Sequence, residues 1–251
     1  MRRLGILLAA ALLASAPAAA KDGASERAKR YAACLQAAHS DPAPAISNAR
    51  TWIEQGGGDP ARHCLGVALL QDGQKVEAAR KLMRLGRRLN PDSGPVVRAE
   101  AFAQAGQAWL LAGNLEMAET AHSKALELRR DDAELWIDRA MVRFQGGDNA
   151  GAIKDLNRAQ SREPGNAMVY VYRASALRHM EQPKAAMQDV QAALDLAPGH
   201  PEALLEKGNL HRLQGEPEAA RKAWRRILEV APNSRAAESA RTNLTSIPDG
   251  A

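Results

Sequence analysis

Residues 133–166 read AELWIDRAMVRFQGGDNAGAIKDLNRAQSREPGN, residues 167–200 AMVYVYRASALRHMEQPKAAMQDVQAALDLAPGH, and residues 201–234 PEALLEKGNLHRLQGEPEAARKAWRRILEVAPNS. Aligned with one another and with residues 99–132, they agree on small residues at fixed places. Gly106, Ala140, Ala174 and Gly208 stand 34 apart, as do Ala118, Ala152, Ala186 and Ala220. Ala125, Ala159 and Ala193 lead to Ile227; Pro164, Pro198 and Pro232 keep the same beat, with Arg130 in the slot before them. Phe102, Trp136, Tyr170 and Leu204 make a column of large apolar residues. A period of this length marks a repeated supersecondary unit.

Each row resolves into helix, turn, helix and stop. The large residue and the small one four positions later share a face of the first helix, and the small one lets a second helix come close. Gly113-Asn114, Gly147-Asp148 and Gly215-Glu216-Pro217 are turn signals. Pro183 and Pro217 suit the first turn of a helix, where a missing N–H costs little. Pro164, Pro198 and Pro232 end the second helix, because proline cannot continue its hydrogen bonding. Only 4% of the 251 residues are aromatic, which argues against a β-sandwich or barrel. A charged fraction of 25% argues against wholesale disorder.

The pattern resembles the tetratricopeptide repeat, W-x2-L-G-x2-Y, then A-x3-F, then P. Trp136 matches the leading Trp, Gly106 and Trp109 the Gly and the later aromatic, and Ala220 and Trp224 the A-x3-F pair. Arg139, Arg173 and Lys207 stand where Leu is usual, and His122 where Phe is usual. The resemblance covers residues 99–234 as four repeats. It implies an all-α, right-handed superhelical solenoid whose concave wall is made of first helices. Leu65-Gly66, Gly73 and Ala78 precede their counterparts by 40 residues, which places another such repeat at 59–98, with a six-residue insertion around Ser93–Arg98. Residues 21–58 read as a divergent N-terminal helical hairpin, Glu26–His39 and Ala43–Gln55. Residues 235–251 read as a capping helix, Arg235–Leu244, and a tail; a polar last helix is what an open stack requires.

Residues 1–20 read as an address. Arg2 and Arg3 precede the apolar run Leu4–Ala14, Ser15-Ala16-Pro17 breaks it, and Ala18-Ala19-Ala20 offers small residues to a signal peptidase. A secretory signal peptide cleaved after Ala20 is expected, since the run is too short to span a bilayer. The expected location is periplasmic or secreted. Of the formal charge of +5, Arg2 and Arg3 supply two, which leaves 32 basic against 29 acidic residues. No Lys/Arg block interleaved with aromatics is found, so nucleic acid is not an expected partner.

Cys34 and Cys64 are 30 residues apart on expected first helices of adjacent units. Against the 34-residue period they lie about one helical turn apart, on one face. Adjacent first helices pack side by side in the architecture the resemblance implies, and an exported chain permits a disulfide. A Cys34–Cys64 disulfide is therefore expected, with two buried free thiols as the alternative.

The six histidines form no H-E-x-x-H and no zinc spacing with cysteine; His63 and Cys64, being adjacent on a helix, point in different directions. No G-x-S-x-G, Walker loop or G-x-G-x-x-G occurs, and Gly56-Gly57-Gly58 lacks the strand and lysine of a phosphate cradle. Asp131-Asp132 falls at a helix start, where carboxylates cap free N–H groups. The expectation is a protein that is not an enzyme and that holds no cofactor or metal.

In the tetratricopeptide family ligands lie along the first helices, and the resemblance therefore nominates inward positions. They are Ala103, Gln107 and Leu110; Ile137, Met141 and Phe144; Val171, Ser175 and Arg178; and Leu205, Asn209 and Arg212. The apolar part would anchor a peptide and the two arginines would orient an acidic group; alternatively Ile137 and Met141 are core between helices. The Lys/Asn/Arg clamp of the family's chaperone-tail receptors is missing, since Ala103, Gln107, Asp138, Met168 and Tyr172 occupy its places. The functional expectation is a scaffold or adaptor that binds another protein or peptide, with a holdase for unfolded exported polypeptides as the alternative.

Overall fold

The computed structural model describes residues 21–90, 92 and 94–246; the expected signal peptide and the final tail lie outside them. The described residues form thirteen α-helices and no strand. They are α1 (Lys21–Ser40), α2 (Pro42–Glu54), α3 (Gly58–Gln71), α4 (Lys75–Arg88), α5 (Pro95–Leu111), α6 (Leu115–Leu128) and α7 (Ala133–Gln145), then α8 (Asn149–Arg162), α9 (Ala167–His179), α10 (Pro183–Leu196), α11 (Pro201–Leu213), α12 (Pro217–Val230) and α13 (Arg235–Ser246). Among the described residues no helix is long and apolar enough to cross a membrane.

Two compact units are present, the first ending at Val142 and the second beginning at Arg143, within α7. In each, helices pack on their chain neighbours, and odd-numbered helices also touch one another: α1 with α3 in the first unit, and α9 with α11 and α11 with α13 in the second. This is the all-α stacking of helical hairpins that the period implied.

The small-residue columns are the seams. Ala118, Ala125, Ala152, Ala159, Ala186, Ala193, Ala220 and Ile227 are all at 0% exposure. A Cβ on Gly106 would collide with the His122 imidazole, and one on Gly208 with the Trp224 indole. Where the first helix carries Gly, the residue 16 positions on fills the space a side chain would take.

Helix ends follow from the backbone. Glu163 (φ −130°, ψ 75°), Ala197 (−145°, 89°) and Ala231 (−148°, 61°) are extended before their prolines, as the proline ring demands. Arg129 adopts the same state (−140°, 79°) with no proline after it, so packing also fixes this corner. Asn114, Asp148 and Asn166 cap α6, α8 and α9 by accepting backbone N–H bonds at 3.0, 2.8 and 3.1 Å. Asp132 Oδ1 likewise accepts from the Glu134 N–H at the start of α7.

The insertion is divided between linker and helix. α5 has 17 residues where α7, α9 and α11 have 13, and the linker 89–94 is two residues longer than 129–132. The added turn is anchored by a small core of its own, Leu85, Leu89, Val97 and Ala101.

Candidate protein-binding site

The expected groove residues come from odd-numbered helices, and each unit places its own share. In the first unit Gln107 and Leu110 on α5 and Ile137 and Met141 on α7 are half-buried. Leu110 leans on the main core, and Ala103 lies within it at 2% exposure. The Asp138 side chain, beside Ile137, keeps 37% of its surface. The half-buried positions are thus mostly apolar, with the acidic Asp138 next to Ile137 in the chain.

The second unit differs from expectation at two residues. Val171 is 4% exposed and belongs to the core with Ala174, Val190 and Leu204, so it offers no surface to a partner. Arg178 is already engaged: Nε and Nη2 donate to the Glu206 carboxylate at 2.7 and 3.0 Å, and Nη2 also reaches Ser175 Oγ at 3.4 Å. A guanidinium in this fork-on-fork pair is not available to orient an acidic group of a ligand. Leu205 packs partly on the core, Asn209 Oδ1 accepts from Asn243 Nδ2 on α13, and Phe144 sets its ring edge-on to His179, centroids 5.2 Å apart. Arg212 is exposed.

Sequence reasoning missed a polar chain across α1, α3 and α5. Tyr31 Oη lies 2.5 Å from His63 Nδ1, His63 Nε2 lies 2.7 Å from Gln104 Oε1, and Gln104 Nε2 donates to Glu100 Oε1 at 3.1 Å. Because the Gln104 amide nitrogen donates to Glu100, its oxygen accepts from His63 Nε2–H, and Nδ1 accepts the tyrosine proton. Each link passes a donor toward the carboxylate, a direction in which successive bonds strengthen one another. Burial holds His63 neutral, with its pKa lowered to about 4, and pushes Tyr31 up. Burial raises Glu100 to about 7. Asp138 is raised to about 7 by burial and by Glu134, Asp132 and Glu100. His122, at 0% exposure, is lowered to about 4 by burial and by Arg139.

Beside this chain, the Cys34 and Cys64 sulfurs are at bonding distance, with Cα atoms 6.1 Å apart, and join α1 to α3. A bridge closing a loop of this size is worth about 3.7 kcal/mol through the unfolded chain. Among the described residues no group of three or more His, Cys, Asp or Glu could hold a metal.

The arginines in the leucine column have a structural use. Arg173 Nε and Nη2 grip Asp189 at 2.7 and 2.6 Å, while Nη1 donates to Asn157 at 2.7 Å and Gln160 at 2.5 Å. One side chain thereby ties α9 to both α8 and α10. Arg139 Nη1 donates to Ser123 in the same manner.

This arrangement defines a class, proteins built from stacked helical hairpins, and sequence and structure comparisons supply the family. Tetratricopeptide-repeat profiles match residues 137–201 and 177–244. The fold is similar to MamA 41-end from Desulfovibrio magneticus RS-1 (20% identity, TM-score 0.60, covering 70% of this chain and 97% of that one). It is similar also to a MamA RS-1 ArsTM double mutant (21%, 0.59, 68% and 93%). A third likeness is YrrB, described as a TPR protein with an unusual peptide-binding site (16%, 0.54, 77% and 96%). No curated protein matches the chain by sequence. The chain is a tetratricopeptide-repeat protein.

Proposed function

We propose that this chain is a non-enzymatic interaction protein that holds a segment of another protein against its first helices, as a scaffold or adaptor acting in the periplasm. The observation that carries the reading is that Leu110 on α5 and Ile137 and Met141 on α7 stay only half-buried on consecutive first helices, with Asp138 next to Ile137 in the chain. Apolar side chains left partly accessible on first helices suit the side chains of a bound peptide. The peptide-binding site named for YrrB supports peptide binding as a use of this fold. The basic-apolar-small order of residues 1–20 and the Cys34–Cys64 pair support an oxidising compartment.

A photoreactive side chain at Met141, with Thr120 on the exposed side of α6 as control, tests this in cells producing the full chain. The expected result is one or a few discrete adducts from position 141, none from 120, and their loss in Ile137→Glu. Equal adducts from both positions would contradict the reading. A broad smear from 141 that unfolded polypeptides compete away would replace the scaffold with a holdase.

A further inference from the structure

The excess positive charge of the chain lies in one short stretch. Residues 75–98 carry seven Lys/Arg and two Asp/Glu, a balance of +5, while the rest of the chain carries 27 of each sign. This stretch is α4, the linker and the added turn of α5. Arg80, Arg84, Arg87 and Arg88 are exposed on α4, and Arg88 pairs with Asp59 at 3.3 Å.

The added turn does more than lengthen α5. It carries Arg98, at the place where later repeats hold Asp132, Asn166 and His200 ahead of their first helices. Arg87, Arg98 and Lys124 line a cavity of about 210 Å³, with Phe102 and Leu128 as its apolar walls and Glu127 as its acidic member. Arg98 Nε is fully enclosed and has no hydrogen-bond partner among the described residues. The rest of the Arg98 side chain is partly exposed, and an oxyanion seated in the cavity would give the cations that line it an acceptor. Three cations against one carboxylate leave +2, which a phosphomonoester dianion balances at neutral pH and a monocarboxylate does not.

We propose that the cavity formed by Arg87, Arg98, Lys124, Phe102 and Leu128 binds a phosphomonoester, its phosphate on the arginines and lysine and its apolar stem along Phe102 and Leu128. The two guanidiniums supply planar donor pairs suited to phosphate oxygens. The site includes none of Leu110, Ile137 and Met141, so either reading can fail without the other.

Titration of the full chain with phenyl phosphate, inorganic phosphate and benzoate, followed by backbone amide NMR and calorimetry, tests it. Phenyl phosphate is expected to saturate, to shift the amides around Arg98 and Lys124, and to bind about tenfold more tightly than either other probe. Arg98→Gln should weaken it about tenfold. Glu127→Gln, which removes the competing carboxylate, should tighten it about threefold, a gain that misfolding cannot produce. Absence of saturable binding, benzoate binding as tightly as phenyl phosphate, or no gain in Glu127→Gln would overturn the assignment. Inorganic phosphate binding as tightly as phenyl phosphate would overturn the role of the stem and leave a free-phosphate site.

Discussion

At position 181 a glutamate holds a left-handed backbone, φ 57°, where Gly113, Gly147 and Gly215 take φ 77°, 83° and 75° in the equivalent turns. A side chain in that region costs about 1 kcal/mol relative to glycine. Glu181→Gly should therefore stabilise the chain by roughly 1 kcal/mol in a urea melt, with an unchanged slope; a loss of stability would show that the Glu181 side chain has a use that offsets its strain. The position is legible from the repeat itself, because 181 is 34 residues after 147 and breaks the glycine column. Arg173 was equally visible as an exception in the leucine column, but its purpose was not. That needed the placement of Asp189, Asn157 and Gln160 around it, and Asp189 lies 16 residues on, the spacing that also separates Gly106 from His122. Val171 and Arg178 were misread for a related reason: a position facing inward by family analogy is free only if no neighbouring helix claims it, and the core and Glu206 claim these two.

The helices of the first unit carry a pH dependence whose sign can be worked out. Glu100 sits at about 7 in the fold against an ordinary 4.5. A carboxyl raised in this way binds a proton in the folded chain that the unfolded chain has already released. Its contribution is full below about pH 4.5 and is lost as pH rises through 7. Asp138 acts in the same direction. His63 and His122, lowered to about 4 from 6.5, act oppositely: their contribution is full above pH 6.5 and is lost as pH falls toward 4. The two trends offset one another between pH 4.5 and 6.5, and above that the carboxyls act alone. Stability measured by urea should therefore fall between pH 6.5 and 8, and Glu100→Gln, which keeps an acceptor for Gln104, should flatten that fall. A Glu100→Gln slope equal to that of the parent chain would contradict the placement of this group. None of this was legible in the sequence, because Tyr31, His63, Gln104 and Glu100 obey no shared period; only the fold brings α1, α3 and α5 together. The helices themselves were legible, since Gly, Pro and Ala at fixed intervals act locally, through φ, the missing N–H and close approach.

Within each unit, stability is expected to come from neighbour-to-neighbour seams, each hairpin supported by the next. The six-residue insertion supports this: its extra turn in α5 changes one seam, builds a core of Leu85, Leu89, Val97 and Ala101 there, and leaves the 34-residue beat intact from residue 99 onward. If hairpins are interchangeable members of a stack, removing one whole period should leave a shorter stack. Deleting residues 167–200 joins Asn166, which caps α9, directly to Pro201, the first residue of α11. Circular dichroism with thermal melting of that deletion is the most direct test. The expected result is unchanged helicity per residue and a single cooperative transition at a lower temperature, since the Arg173–Asp189 and Arg178–Glu206 pairs are gone. Loss of helicity per residue, or a melt without a cooperative transition, would show that the hairpins of the second unit are not equivalent parts of its stack.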